Sequence, residues 1–236
     1  LTSIKTQYRT NAEEIMDDFD LKGQDLQMVL NDIDKVNHRL GGHRITLKGL
    51  KKLAQSSAKT TLTFVDIGCG SGDTLRVISD WAIRQNFNIK LYGIDANAHI
   101  IEQAKILSKD YPDIKYLHQN IFSDEFKQQQ FDIISCCLTL HHFKDQDILK
   151  LLPQLYQQSK IGVLINDLQR SRLAYILFKA YAKVFMKSKI AKHDGAISIL
   201  RSFKKTDLHH FFTSINPKSF NIEWCWAFRY LCLIQK

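Results

Sequence analysis

The chain has 236 residues, 44% of them hydrophobic and 24% charged, with a formal net charge of +9. That length supports one sizeable α/β domain plus a small appendage, with a core that needs no disulfide or metal, and no apolar run approaches the roughly 18 residues of a membrane span. Five scattered cysteines form no C-x-x-C pair and no zinc-like spacing, which fits core thiols in a reducing compartment.

No signal-peptide pattern is present, so the cytoplasm is the expected location. The charge is unevenly placed: between 159 and 206 eleven Lys and Arg stand against Asp167 and Asp194, which accounts for the whole excess.

In chain order, AEEIMDDF and DLQMVLNDIDKVNHRL carry apolar residues at helical spacing, Gly41-Gly42 breaks the pattern, and a third helix runs through Leu50 and Leu53. These predict a helical cap over 1–57, with a soft boundary to a main domain over 58–236. From Leu62 short apolar runs alternate with amphipathic segments: LTFVDI, KLYGID, IKYLHQ, FDIISCCL and IGVLIND read as strands of a parallel sheet with helices on both faces.

An insertion at about 170–205 follows the fifth strand. Within it LAYILFKAYAKVFMKSKIAK predicts one amphipathic helix over 173–192, with Leu173, Ile176, Leu177, Ala180, Tyr181, Val184 and Phe185 on one side and Lys179, Lys183 and Lys187 on the other. It reads as a lid burying its apolar face over a pocket, or as a basic helix lying on an anionic membrane surface. Finally FNIEWCWAFRYLCLI gives two runs too close for a crossover, hence an antiparallel pair. The predicted fold is a Rossmann-like α/β domain, a mostly parallel seven-stranded sheet with an antiparallel last strand.

The stretch VDIGCGSGD, Val65 to Asp73, sits where an open parallel sheet binds ligands. A dinucleotide fingerprint would place a third glycine at 73, where the chain has Asp73; the glycine comes early, at Gly72. The glycines permit a tight turn and close ligand approach. Asp95 then ends the second strand, where a carboxylate can accept hydrogen bonds from two ribose hydroxyls.

These segments resemble class I S-adenosylmethionine-dependent methyltransferases: VDIGCGSGD looks like their first motif, YGIDANAHIIEQAK the next strand and helix, and FDIISCCLTLHHF their fourth motif. The resemblance spans roughly 62–167 and implies S-adenosylmethionine as cofactor. It places Gly68, Cys69, Gly70 and Gly72 along the methionine part with Asp66 and Asp73 beside it, Asp95 and Ala96 at the ribose, and Leu138 under the cofactor. Where the family commonly has an acid near the adenine amino group, this chain has HQNIF. Asn120 would accept that hydrogen bond and Ile121 pack on the ring.

His141 and His142 follow the fourth strand, where an imidazole can take the proton of a phenol, and His193 beside Asp194 is a further candidate base. Asn166 and Asp167 end the fifth strand, at the acceptor's side. His43, Arg44, Arg170, Arg172 and Arg201 are candidate contacts to an anionic or phenolic substrate. No metal is expected, since Leu140-His141-His142 offers no acid where a catechol-type magnesium site would want one.

A finer resemblance, through MDDFDLKGQDLQMVLNDIDKVNHRLGGHRITL, NDLQRSRLAYILF and HDGAISILRSF, is to small-molecule methyltransferases related to quinone biosynthesis, some acting on phenolic polyketides. It implies methyl transfer to an oxygen of a small aromatic acceptor, with transfer to carbon as the near variant. The alternatives are a nucleic-acid methyltransferase or binding module, motivated by the basic balance, and a cofactor-binding scaffold without catalysis. Against nucleic acid, the chain has no Pro-Pro-aromatic motif and no Pro-Cys nucleophile, and the aromatics of its basic helix fall on the apolar side.

Overall fold

A computed structural model describes residues 4–236; the first three residues of the expected cap lie outside it. After a 3-10 turn at Ile15–Asp17 come α1 (Gly23–Arg39), α2 (Gly42–Gln55), β1 (Thr61–Ile67), α3 (Asp73–Arg84), β2 (Asn88–Asp95), α4 (Ala98–Leu107) and β3 (Ile114–His118). The short α5 (Asp124–Lys127), β4 (Phe131–Cys137), α6 (Asp145–Gln158) and β5 (Ser159–Leu168) follow. The chain continues with α7 (Arg172–Phe185), α8 (Lys189–Arg201), α9 (Lys205–Ile215), β6 (Ser219–Cys225) and β7 (Arg229–Gln235).

The sheet runs β3-β2-β1-β4-β5-β7-β6. Its first five strands are parallel and β7 is antiparallel to both neighbours. Strand alternation builds a core on each face. Leu62 and Phe64 of β1 pack with Leu50, Leu53, Leu75 and Ile78, whereas Val65 and Ile67 point to the opposite layer with Leu151, Leu155, Phe211 and Phe212. Strand order reverses between β1 and β4, opening a crevice at their carboxyl ends.

The seven strands and the antiparallel closing strand match the sequence reading; three other expectations need correction. AEEIMDDF is not a helix but a three-residue 3-10 turn. The segment is too short to nucleate a helix in isolation, and its N–H groups are taken elsewhere: those of Ile15 and Met16 both donate to the Asp194 carboxylate at 2.9 Å.

The helix expected over 173–192 is two helices, α7 and α8. Asp32 of α1 breaks it by accepting the N–H groups of Lys187 and Ser188, both at 2.7 Å, and Ser188 then caps α8 through the Ala191 N–H.

The apolar side of α7 is not buried as a whole. Ala174 and Ala182 are buried, but Leu173, Ile176, Leu177, Val184 and Phe185 are all exposed, Val184 by 71%. Gly49 brings α2 so close to β5 and β7 that a Cβ there would meet Leu164 and Leu231 at 2.7 and 2.8 Å. α2 is therefore part of the layer that covers the sheet.

Replacing Asp32 by Ala would leave two N–H groups, that of Ser188 buried and that of Lys187 partly so, without their acceptor. We expect a loss of about 2–4 kcal/mol in unfolding free energy, read from the urea midpoint; an unchanged midpoint would remove Asp32 as the tie between α1 and the α7–α8 corner.

Candidate active site

A cavity of about 1070 Å³ opens at the carboxyl ends of β1, β2 and β4, at or above the upper end of the roughly 300–1000 Å³ of small-molecule sites. Its floor is the loop after β1 together with Asp95, Ala96, Asn120, Ile121 and Leu138. Its roof comes from α1, α7, α8 and the segment around Glu14 and Asp17.

The loop answers why glycine sits where it does. Gly70 has φ of 55° with open space where a side chain would stand, so its backbone faces the cavity bare. Gly72, which opens α3 at φ 76°, is off the cavity wall; a Cβ there would strike the Tyr116 hydroxyl at 2.0 Å. Tyr116 in turn shares a hydrogen bond with Ser108. Two of the expected glycines thus border the cavity and the third seats the loop against β3.

Around the loop stands a set of carboxylates. Asp95 accepts the N–H groups of Asn97 at 3.0 Å and Gly70 at 3.2 Å; burial pushes its carboxyl up despite these bonds. Although burial alone would raise Asp73, His43 at 2.7 Å, Asn37 and the Thr74 N–H hold it below the usual carboxylate range. Asp66 accepts a hydrogen bond from Ser135, yet burial pushes it up to about 8. Asp34 of α1 accepts from Ser71 at 2.6 Å, tying roof to floor, and burial with the neighbouring Asp73 charge raises it to about 7.

At the far end, the turn at Leu140–His142 presents two imidazoles. His141 donates its Nδ1–H to Asp167 at 2.7 Å, and His142 donates its own to Asp17 at 2.7 Å. Burial would lift the Asp167 carboxyl, but His141 and two N–H groups keep it low. Glu14 completes the group, with Oε1 3.7 Å from His141 Nε2 and Oε2 3.9 Å from His142 Nε2. Burial pushes Glu14 up to about 7.

Residues 64–162 match the methyltransferase domain family. The methyltransferase-domain match covers these 99 of the 236 residues, the stretch that carries the loop after β1, Asp95 and the turn after β4. Among curated relatives, it is 31% identical over 153 residues to a 2-phytyl-1,4-naphtoquinone methyltransferase of Nostoc punctiforme, covering 63% of each chain. It is 21% identical over 186 residues to a demethylmenaquinone methyltransferase of Lactococcus lactis, covering 78% of this chain and 69% of that one.

Among solved structures, the plantazolicin methyltransferase BpumL, bound to a triazolic substrate analogue and SAH, superposes with a TM-score of 0.64 at 17% identity, over 87% of this chain and 90% of that one. Human N-acetylserotonin methyltransferase gives 0.65 at 17% identity, over 92% of this chain and 57% of that one.

Within residues 64–162, Asp66, Gly68, Cys69, Gly70, Asp73, Asp95, Ala96, Asn120, Ile121 and Leu138 all line the cavity, as do His141 and His142. The Asn120 amide oxygen already accepts the Phe122 N–H at 2.9 Å. Several expected contacts lie elsewhere. His193 is off the cavity wall, its side chain 53% exposed, and pairs with Asp194. His43 is a partner of Asp73 and does not reach the cavity, and Arg44 is exposed on α2. Arg172 is likewise exposed, at the start of α7.

Asn166 spends its amide on the Gly42 carbonyl and Thr46. Arg170 grips the carbonyls of Thr6, Gln7 and Ser202 and pairs with Asp207. Arg201 binds Asp17 and the His142 carbonyl, so it positions the cluster from behind. Asp167 is likewise behind His141 and off the wall. Sequence reasoning missed Glu14 and Asp17, whose only signal was an acidic run taken for helix.

Two outcomes follow for the loop. A carboxyl raised to about 8 favours folding most below its unfolded value near 4 and loses that contribution as pH rises through 8. Asp66→Asn should therefore raise the melting temperature at pH 8 more than at pH 5, by the equivalent of at least ~1 kcal/mol; calorimetric melts at the two pH values check this. Asp95→Ala should weaken S-adenosylmethionine binding by roughly 1–3 kcal/mol, read by isothermal titration.

Proposed function

We propose that the protein transfers a methyl group from S-adenosylmethionine to an oxygen of a small, largely apolar aromatic molecule of phenolic, polyketide or quinone-precursor type. The observation that supports this is the single cavity whose bare glycine loop and Asp95 continue into an apolar half under α1, α7 and α8, ending on His141 and His142. Relatives named for phytyl-naphthoquinone and demethylmenaquinone support the acceptor class and keep carbon as the variant target.

Bound S-adenosylmethionine supplies a methyl on a sulfonium, which needs only an in-line nucleophile, the C–S electron pair remaining on sulfur. The Gly70 backbone and Asp73 hold the amino-acid end, and Asp95 holds the ribose. Asn120 and Ile121 receive the adenine, and Leu138 supports the ligand from below. Under the roof, Leu30, Ile33, Phe178 and Tyr181 exclude water and set an aromatic ring beside the methyl, where orientation alone contributes much of the rate. The acceptor's hydroxyl meets the Nε2 face of the His141–His142 pair and loses its proton there. The exposed flank of α7, with Lys179 and Lys183 on its polar side, is where this reading places contact with an anionic membrane surface, as suits an acceptor with an apolar tail.

Incubation with methyl-labelled cofactor and a panel of phenols, resorcinols and quinols, with and without anionic vesicles, tests the proposal by mass spectrometry. Label on oxygen is expected, with His142→Gln lowering the rate about 100-fold or more. Label on carbon selects the variant, and no transfer to any member, with cofactor bound, leaves only a scaffold.

A further inference from the structure

The cluster at the cavity's end is built as a ligand set. His141 and His142 each spend Nδ1 on a carboxylate, Asp167 and Asp17 at 2.7 Å, which in the neutral imidazole leaves the free electron pair on Nε2. Carboxylates behind the imidazoles in this way are the usual outer shell of a metal-bound histidine. The two Nε2 atoms then face Glu14, at 3.7 and 3.9 Å from its two oxygens, and one ligand atom from each of the three residues lies within 4.8 Å of the others.

Two of these atoms, Glu14 Oε1 and His141 Nε2, are buried without a hydrogen-bond partner, on side chains only 4% and 2% exposed. Buried polar atoms are almost always paired, so two orphans facing one another need a third party. An ion held tetrahedrally at about 2.0–2.1 Å sets its ligands about 3.4 Å apart, so the three ligand atoms, all within 4.8 Å of one another, would draw together around it. Glu14, Asp17 and Asp167 gather here with Arg201, 3.8 Å from Glu14 Oε1 and 2.5 Å from Asp17, while Arg9 binds the His141 carbonyl and Arg229 faces the Asp167 charge.

We propose that Glu14, His141 and His142 form a site for a divalent transition-metal ion, of the zinc or iron(II) kind that two imidazoles and one carboxylate suit, with its open position toward the cavity. This proposal runs against the expectation that no metal takes part: here the acid comes from the N-terminal segment, not from the strand end beside the histidines. The site stands on the side chains alone and deepens the proposed function at one point. A hydroxyl bound to the ion would pass its proton to water and present oxygen as the anion, a task otherwise left to an imidazole.

The test uses the full chain after chelator treatment and dialysis, titrated with Zn²⁺ by calorimetry and with Co²⁺ by visible absorption. One equivalent of ion per chain is expected, with ligand-field bands for cobalt. Glu14→Gln and His142→Ala should each weaken binding about 100-fold or more and abolish the bands, and Asp17→Asn about tenfold. His210→Ala, on the exposed side of α9, should change nothing. Circular dichroism confirms that each variant is folded.

Substoichiometric binding, or binding unaltered in the Glu14 and His142 variants, would overturn the site. Methyl transfer that persists without any ion bound would overturn the ion's part in deprotonation, while leaving the proposed function intact. Stoichiometric zinc on a protein that methylates no acceptor would support the site and count against that function.

Discussion

Buried carboxylates on foreign backbone N–H groups hold the roof over this cavity. Asp194 of α8 accepts the N–H groups of Ile15 and Met16, and that pair of bonds is what delivers Glu14 and Asp17 to the histidines of the β4 loop. Asp32 does the same for the α7–α8 corner, and Asp167 for the turn carrying His141. Each is a charge-assisted bond in a dry setting, among the stronger kinds available to a folded chain. Apolar packing between α1, α7 and α8 surrounds these ties through Val29, Ala182, Met186 and Ala191, but it carries less direction than a carboxylate aimed at two N–H groups.

The sheet and the roof were unequally legible in the sequence. β1, β2, β4 and β5 lie within a few residues of where alternating apolar runs placed them, and the antiparallel closure followed from the short link in FNIEWCWAFRYLCLI. Those signals are local. The break between α7 and α8 is set by Asp32, which lies 155 residues from Lys187 along the chain, so no window on the sequence contains its cause. Helical periodicity also could not tell that the side carrying Val184 and Phe185 faces outward, because an amphipathic pattern names two faces without saying what covers either.

The site divides along the same line. Glycines and acids of the β1 and β2 loops were legible since their chemistry depends on neighbours a few positions away. The arginines were not: Arg170 and Arg201 looked like anion ligands, but their guanidinium forks are closed on carbonyls and on Asp207 and Asp17. A guanidinium satisfied by backbone carbonyls has no sequence signature. Glu14 and Asp17 were hidden for the converse reason, being ordinary acids until a distant helix folds them inward.

The lining of the cavity also bears on direction of travel. Asp73 and Asp17 line the cavity and are both held ionised by their partners, so its walls carry two carboxylates although the chain as a whole is basic. A sulfonium meets them as a cation, whereas the neutral thioether left behind by transfer has no charge at sulfur to offer. The walls in this sense favour fresh ligand over spent.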